Sequence, residues 1–396
     1  MAVRRRTWRT KRGERREAWV VDYVDKDGDR HIETFERKRD ADARHDTVRV
    51  DVRAGIHTAA SKSLTVAEAA EDWIAGVMLR GRERTTIRQY RQHIDLHIVP
   101  QMGRDKLANL TAPRMNEIRD ELLERLSRAM ARKVLKTIKS ILKDAHNRGS
   151  VSQNVALGVS IDPDKRGKRK LKIGVDIPTP DEIKRTIAAA IGRQRPFLIT
   201  VIFTGLRGSE LRGLRWPDVD LKRAELHVRQ RADRYNEIGN VKSETSDRTI
   251  PIGPLVISAL REWRLACPHS RDDLVFPTRR GHIIRHENII RQVWMPAQIA
   301  AGITVPTKGP KGEAVLDETG RPKHAPKYTG LHSLRHFYAS WCINRRVDGG
   351  LELPPKTVQE RLGHASIVIT LDTYGHLFPR TDDGAELAAA ERVLLG

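Results

Sequence analysis

Cysteine is nearly missing from this chain: its 396 residues include two, Cys267 and Cys342, far apart and outside CxxC spacing. That count argues against a disulfide framework and against a cysteine-ligated zinc site. Each thiol reads as a small buried hydrophobe in a reducing, cytoplasmic setting. Aromatic residues are sparse, at 5%. No apolar run reaches membrane-spanning length, so neither a membrane-embedded protein nor a membrane partner is expected. The basic N-terminus MAVRRRTWRTKRGERR is not followed by an apolar segment, and does not read as a secretory signal. There is no GxxxxGK[ST] phosphate loop, and no dense Asp/Glu cluster of the kind a two-metal nuclease needs. Acidic residues are also outnumbered: 51 Asp and Glu face 73 Lys and Arg, for a net charge of +22. By charge alone such a surplus fits DNA, RNA or an anionic membrane surface; with the motifs below, DNA and not a membrane is the expected partner.

What is present is enough apolar content, 39%, for real cores, on a chain long enough for two or three domains. Residues 1–16 carry eight Arg and Lys against one Glu and read as a solvated basic tail. AWVVDYVD (18–25), the turn signal DKDGD and RHIETF (30–35) predict a β-hairpin, followed by a charged helix over about 38–54. Ser61–Ser63 mark a short linker. From Leu64 to about Val159 the pattern is helical. Thr65 and Glu68 have capping-box spacing, a second helix is predicted over 84–100 with its stop before Pro100, and others over 112–126 and 131–149. The last has an apolar stripe of Val134, Leu135, Ile138, Ile141, Leu142 and Ala145, and a cationic stripe of Arg132, Lys136, Lys139 and Lys143. A solvated helix face normally mixes in glutamate for pairing. This one has none, so it reads as a DNA-backbone contact. DPDKRGKRKLK (162–172) is the clearest linker, and its Lys165, Arg166, Lys168, Arg169 and Lys170 could neutralise phosphates as it crosses a duplex. Beyond Pro178, helices and short strands mix. Residues 302–329, rich in Gly and Pro, read as a loop or hairpin excursion, and 386–395 as a short amphipathic helix.

The chemistry is carried by five segments: TGLRGSELRGLRW (204–216), VKSETSDRTIP (241–251), LHSLRHFYAS (331–340), RLGHA (361–365) and TLDTYGHLF (370–378). They supply Arg207, Lys242, His332, Arg335, His364 and Tyr374. Attack on a phosphodiester needs a nucleophilic oxygen, charge on the non-bridging oxygens must be stabilised, and the leaving oxygen needs a proton. Arginine is a permanently charged planar fork for phosphate oxygens, and two of them with imidazole donors make a clamp without a metal. A tyrosine hydroxyl can form the covalent bond when cations attract the emerging oxyanion. A lysine on a strand turn can protonate the leaving group, with Lys222 a competitor of Lys242 for that part. HSLRH lacks the spacing and acids of a zinc helix, so neither a metal nor a cofactor is expected.

Over roughly 64–380 the chain resembles the tyrosine recombinases, specifically phage-type integrases. The resemblance implies that Arg207 and Arg335 clamp the scissile phosphate, His332 assists acid–base work on the nucleophile, His364 donates to a phosphate oxygen, Lys242 is the general acid, and Tyr374 forms a 3′-phosphotyrosyl bond. It implies that Glu210 braces Arg207 and that His336 is a structural support. The expected fold is multidomain α+β. A small sheet-plus-helix module (1–60) binds arm-type DNA, an all-α domain (64–160) binds the core site, and a basic linker (161–177) follows. A mixed, mainly helical catalytic domain with a small antiparallel sheet (178–396) then closes a clamp around the duplex. Expected partners are double-stranded attachment sites, three further copies in a tetramer on DNA, and a host DNA-bending protein or excision factor. The expected location is the cytoplasm, on the nucleoid. The rival readings are a type IB topoisomerase-like enzyme and a non-catalytic DNA-binding regulator.

Overall fold

Residues 2–10, 13–24, 28–53, 63–163, 169–241, 244–309, 312–379 and 384–395 are described in the structure, a computed structural model. The fold is α+β, and the chain divides into two compact units, 1–167 and 168–396. The first opens with β1 (Ala2–Arg9), β2 (Arg15–Val24) and β3 (Arg30–Phe35), an antiparallel sheet in that order, followed by α1 (Lys38–Arg53). The expected hairpin is β2–β3, with Trp19 opposite Phe35 and Val24 opposite Arg30. Residues 2–9, expected as a solvated tail, instead form an edge strand paired along β2 from Ala2–Asp22 to Arg9–Arg15. Arg4 pairs with Asp22 at 2.9 Å and Arg5 with Glu17, so acids on the neighbouring strand hold its cations. A strand this basic also discourages further edge pairing. Val21, Tyr23, Ala41 and Val48 form a small core of their own.

The rest of the first unit is helical: α2 (Val66–Leu79), α3 (Arg84–His93), α4 (Val99–Met102), α5 (Ala112–Arg125) and α6 (Arg128–Asn147). The capping box forms: Glu68 N–H donates to Thr65 Oγ1 at 3.2 Å, and Thr65 N–H donates to Glu68 Oε2 at 2.7 Å. The second helix does not stop before Pro100. A wide π turn, Ile94–Ile98, joins α3 to α4, and the Val99 N–H reaches back to the Ile94 carbonyl. That register opens the ladder where a proline ring would otherwise strike a carbonyl, so the helix passes through. The same device, Ile290–Trp294, precedes Pro296 in the second unit. The α6 stripe from Val134 to Ala145 is buried as expected. Each such side chain is worth about 1.5–3 kcal/mol in apolar burial, before the entropy of ordering it.

The second unit begins with α7 (Pro180–Ala189), α8 (Gln194–Thr204) and α9 (Gly208–Arg212). Short strands follow: β4 (Val219–Asp220), β5 (Glu225–Val228), β6 (Gln230–Ala232), β7 (Ile238–Asn240) and β8 (Arg248–Pro251). They make one sheet in the order β4–β5–β8 and a separate β6–β7 hairpin. Then come α10 (Pro254–Ala266), α11 (His286–Ile289) and α12 (Met295–Ala300), the paired strands β9 (Thr304–Pro306) and β10 (His324–Pro326), and α13 (His332–Ile343), α14 (Pro355–Leu362), α15 (Ile367–Tyr374) and α16 (Gly384–Leu395). The Gly/Pro-rich excursion is thus a hairpin, extended by bridges between Lys308 and Ala314 and between Leu316 and Pro322. α8 is apolar on every side, and Phe197, Leu198, Ile199, Val201 and Ile202 are all buried at the centre of the main core. It is the post against which the site-bearing turns are set.

Candidate active site

Four helix termini bring the predicted groups together: the C-terminal ends of α8, α14 and α15 and the N-terminal end of α13. α8 stops at Gly205, whose φ of 62° suits glycine. A Cβ there would also lie 2.3 Å from the Tyr338 ring. The turn delivers Arg207 as the N-cap residue of α9. α13 carries His332, Arg335 and His336 within its first two turns. α14 stops at Gly363, again left-handed at φ 62°, and releases His364. α15 ends at Tyr374.

Glu210 organises the charge. It accepts from Arg207 Nη1 at 2.6 Å and from the Arg207 N–H at 2.9 Å. It also accepts two bonds from Arg248, at 3.2 and 2.8 Å. Burial alone would raise this carboxyl, but Arg248, then Arg207 and Arg335, hold it down at about 2. Arg207 Nη2 donates to the Gly363 carbonyl at 2.9 Å. Arg335, 2% exposed, donates through Nη1 to the Gly205 carbonyl at 2.7 Å and through Nη2 to the Leu362 carbonyl. Burial and then Arg207 lower its guanidinium to about 9, which leaves it charged at neutral pH. The two arginines therefore tie the ends of α8 and α14 together, and both are held by neighbours before any ligand arrives.

Tyr374 is 1% exposed. Its hydroxyl lies 2.7 Å from His336 Nδ1. Burial raises the phenol to about 12, against the pull of Arg335 and Arg207. The His332 ring stands edge-on to His336 at 4.6 Å, and the His364 ring lies parallel to Tyr374 at 6.4 Å. His364 Nδ1 is 2.9 Å from the hydroxyl of buried Thr370. Burial, followed by Arg335, holds His364 at about 4; burial, followed by His332, holds His336 at about 4. His332 is lowered as well, by burial and then by Arg335 and Arg207. All three imidazoles are neutral near pH 7. A cleft of about 410 Å³ lies beside the group, lined by Arg207, Glu210, Arg231, Val241, Ser246 and His364 among others.

Arg207, His332, Arg335, His364 and Tyr374, predicted from separate segments, are brought together in this way, with Glu210 against Arg207. His336, expected as a support, is the residue that touches the Tyr374 hydroxyl, while His332 touches His336. Lys242 lies outside the described residues; its neighbours Val241 and Ser246 line the cleft. Lys222 sits exposed in the turn between β4 and β5 and does not line it. Arg248 is the residue that sequence reasoning missed. A signal exists: side chains alternate along a strand, and Arg248 shares the face of fully buried Ile250. It also donates through Nε to the Arg361 carbonyl at 2.8 Å.

The cationic stripe of α6 lies elsewhere. Arg132, Lys136 and Lys143 are exposed, and Lys139 Nζ reaches the Leu157 carbonyl at 3.1 Å. Arg132, Lys136 and Lys139 border an open groove of about 520 Å³ with Val159, Ser160 and Ile161. Of the linker cations, Lys165, Arg166 and Lys168 lie outside the described residues. Lys170 is exposed, and Arg169 is held by Asp176 at 3.1 Å.

Residues 178–380 match the phage integrase family, and residues 66–160 match the phage integrase central domain. The sequence is 25% identical over 382 residues to a "Tyrosine recombinase XerC-like" protein of Caldanaerobacter subterraneus subsp. tengcongensis, covering 88% of each chain. The fold is similar to that of the Tn1549 transposon integrase in complex with transposon right end DNA, with a TM-score of 0.62 at 16% identity over 84% of this chain and 100% of that one. It is also similar to a lambda integrase tetramer bound to a Holliday junction, with a TM-score of 0.53 at 16% identity over 91% and 95%.

Proposed function

The chain belongs to the phage integrase family of tyrosine recombinases, and from this we propose that it recombines DNA through a 3′-phosphotyrosyl bond to Tyr374, integrating or excising a mobile element. It is a site-specific recombinase. The observation that carries the finer reading is the convergence of Arg207 and Arg335 on a buried tyrosine from distant parts of the sequence. The two guanidiniums take the non-bridging oxygens of the scissile phosphate. Their charge is greatest in effect when the phosphorane forms, inside a partly dry cleft. With Nδ1 of His364 engaged by Thr370, its Nε2 is left to donate to a phosphate oxygen. Lys242 protonates the leaving 5′-oxygen. Phosphodiester energy is conserved in the tyrosyl bond, so no nucleotide is consumed.

Three parts share the work: an arm-type module (1–60), a core-binding domain (64–160) and, after the linker 161–177, the catalytic domain (178–396). The α6 stripe and the linker cations bear on DNA phosphates and supply affinity rather than sequence choice. Exchange between two duplexes requires four tyrosines, hence a tetramer on DNA, with α16 and its exposed Leu387, Val393, Leu394 and Leu395 docking on a neighbouring copy. A DNA-bending protein or an excision factor would set direction. Among the described residues no helix is long and apolar enough to cross a membrane, and the protein acts where the DNA is, on the nucleoid.

The test is capture of a denaturation-resistant protein–DNA adduct. Wild type and Tyr374→Phe are each incubated with genomic fragments flanking the gene, and bound DNA is sequenced. An adduct on one defined sequence with wild type only is the expected result. Reversible, sequence-specific binding by both proteins with no adduct would replace recombination with regulation.

A further inference from the structure

We propose that Arg212 is a positioning residue: its buried guanidinium sets the β6–β7 hairpin, and through it places Lys242 for proton donation to the leaving 5′-oxygen. The inference rests on the recombinase reading and deepens it. β6 and β7 have three residues each, paired from Gln230–Asn240 to Ala232–Ile238, and they stand apart from the β4–β5–β8 sheet. A two-stranded hairpin of this size is marginal by itself, so its orientation must come from what it packs on. That support is the end of α9. Gly213, directly after the helix, lies so close to β6 that a Cβ there would stand 2.7 Å from the Ala232 nitrogen. The Gln230 side-chain amide donates to the Gly213 carbonyl at 2.9 Å.

Arg212 is the last residue of α9 and is 4% exposed. All three of its side-chain nitrogens donate. Nη1 reaches the Asp233 carbonyl at 3.0 Å and the Ala232 carbonyl at 3.4 Å, and Nη2 reaches Asn236 Oδ1. Nε donates at 2.6 Å to the carbonyl of Ile284, a buried member of the main core. One planar fork thus ties that core to the end of β6 and to the hairpin turn, where Asn236 is left-handed at φ 63°. Burial lowers this guanidinium, against Glu287 and Asp233. An apolar side chain of similar volume often serves stability as well as a buried charge; what the fork adds is direction. Arg231 of β6 and Val241, which follows β7, line the cleft with Arg207 and His364. Lys242 is the next residue of the sequence and lies outside the described ones. α9 therefore serves both halves of the chemistry, with the clamp residue Arg207 at its N-cap and the anchor of the hairpin at its last position. In cleavage the Tyr374 Oη–P bond forms and the P–O5′ bond breaks. O5′ takes a proton from the Lys242 ammonium, which becomes an amine, and the phenolic proton passes to His332, the acid–base group that the family resemblance implies. Misplacing a reacting group by about 1 Å can cost about 10²-fold in rate, here confined to the protonation of O5′.

The experiment uses the full-length protein and two nicked suicide duplexes bearing the sequence recovered in the adduct capture. One has the ordinary 5′-oxygen at the scissile phosphate, the other a 5′-bridging sulfur, whose leaving group needs no proton. Adduct rates and DNA affinities are measured for wild type, Arg212→Met, Arg212→Lys, Lys242→Ala, Arg207→Ala and the Arg212→Met/Lys242→Ala double variant. Arg212→Met and Arg212→Lys are expected to be about 10²-fold slower than wild type on the oxygen duplex, at unchanged affinity, and to match it on the sulfur duplex. Lys242→Ala should behave likewise, with a loss of about 10²–10⁴-fold on oxygen, while Arg207→Ala should stay slow on both. The double variant should be no slower than Lys242→Ala, because the two residues act in one step. Asn236→Gly removes one partner of Arg212 while suiting the left-handed turn. It carries the test if Arg212→Met does not fold, with a smaller defect on oxygen and none on sulfur. An Arg212 defect that persists on sulfur, or adds to that of Lys242→Ala, would reduce Arg212 to a structural residue and leave the recombinase reading standing; so would wild-type speed on oxygen. If Lys242→Ala stays slow on sulfur, the general-acid reading of Lys242 fails and takes the inference with it. If wild type forms no adduct on either duplex, it is the recombinase reading that fails.

Discussion

Glu210 shows how a single buried charge can hold a site ready. It lies between two guanidiniums and is fully ionised at neutral pH, with its carboxyl held at about 2. The sign of the consequence is fixed: a depressed carboxyl contributes stability above its ordinary range near 4.3, and loses it as pH falls towards the depressed value. Arg248, with a side chain 6% exposed, supplies the largest part of that depression. Replacing it by methionine would leave Glu210 buried with Arg207 as its one direct cationic partner. The expected loss in unfolding free energy is about 3–5 kcal/mol at pH 7, the range for breaking a buried pair. The loss should shrink below about pH 4, where the carboxylate can take a proton. Denaturant titrations at the two pH values check this; an equal loss at both would mean that Arg248 acts by packing alone.

At the scale of elements, the site depends on where helices stop. Gly363 ends α14 in the left-handed region, and a Cβ there would lie 2.9 Å from Arg248 Nη1 and 3.1 Å from its Cδ. Gly363→Ala therefore strains the backbone by about 1–2 kcal/mol and displaces Arg248 or the turn. Because Arg207 Nη2 is anchored on the Gly363 carbonyl, the clamp moves as well. The expected outcome is a modest fall in melting temperature with a disproportionate fall in adduct rate, while Gly81→Ala, also left-handed but with open space around it, should cost stability alone. Helix ends were legible in the sequence where a cap residue marked them, as at Thr65. They were not legible at Pro100. There a π turn, whose Ile94 and Ile98 are buried in one core with Met102 of α4, let the helix run on through a residue that ordinarily ends it.

For the whole molecule, charge governs the encounter with DNA. A net charge of +22 makes binding to a polyanion favourable and strongly salt-dependent. If α6 faces phosphates, changing Arg132, Lys136, Lys139 and Lys143 to glutamine should weaken binding about equally on all sequences. It should also flatten the log–log salt dependence by roughly 0.9 for each phosphate no longer neutralised. Filter binding over a series of salt concentrations checks this. A change confined to one DNA sequence would instead mean that the stripe reads bases. The edge strand β1 belongs to this scale as well: residues 2–9 read as a solvated tail because nothing local buries them, and only pairing along β2 made them a strand.

The order of residues alone was enough for the helical and mixed regions, because amphipathic period and capping chemistry are local properties, while the class of protein and the candidate groups rested on the family resemblance of five short segments. Folding in three dimensions selected which of two histidines meets the nucleophile. His332 and His336 lie one helical turn apart, and only the approach of the α15 end to α13 distinguishes them. Folding also brought Arg248 into the site, because a buried arginine is defined by the carboxylate packed against it, here Glu210, 38 residues earlier in the chain.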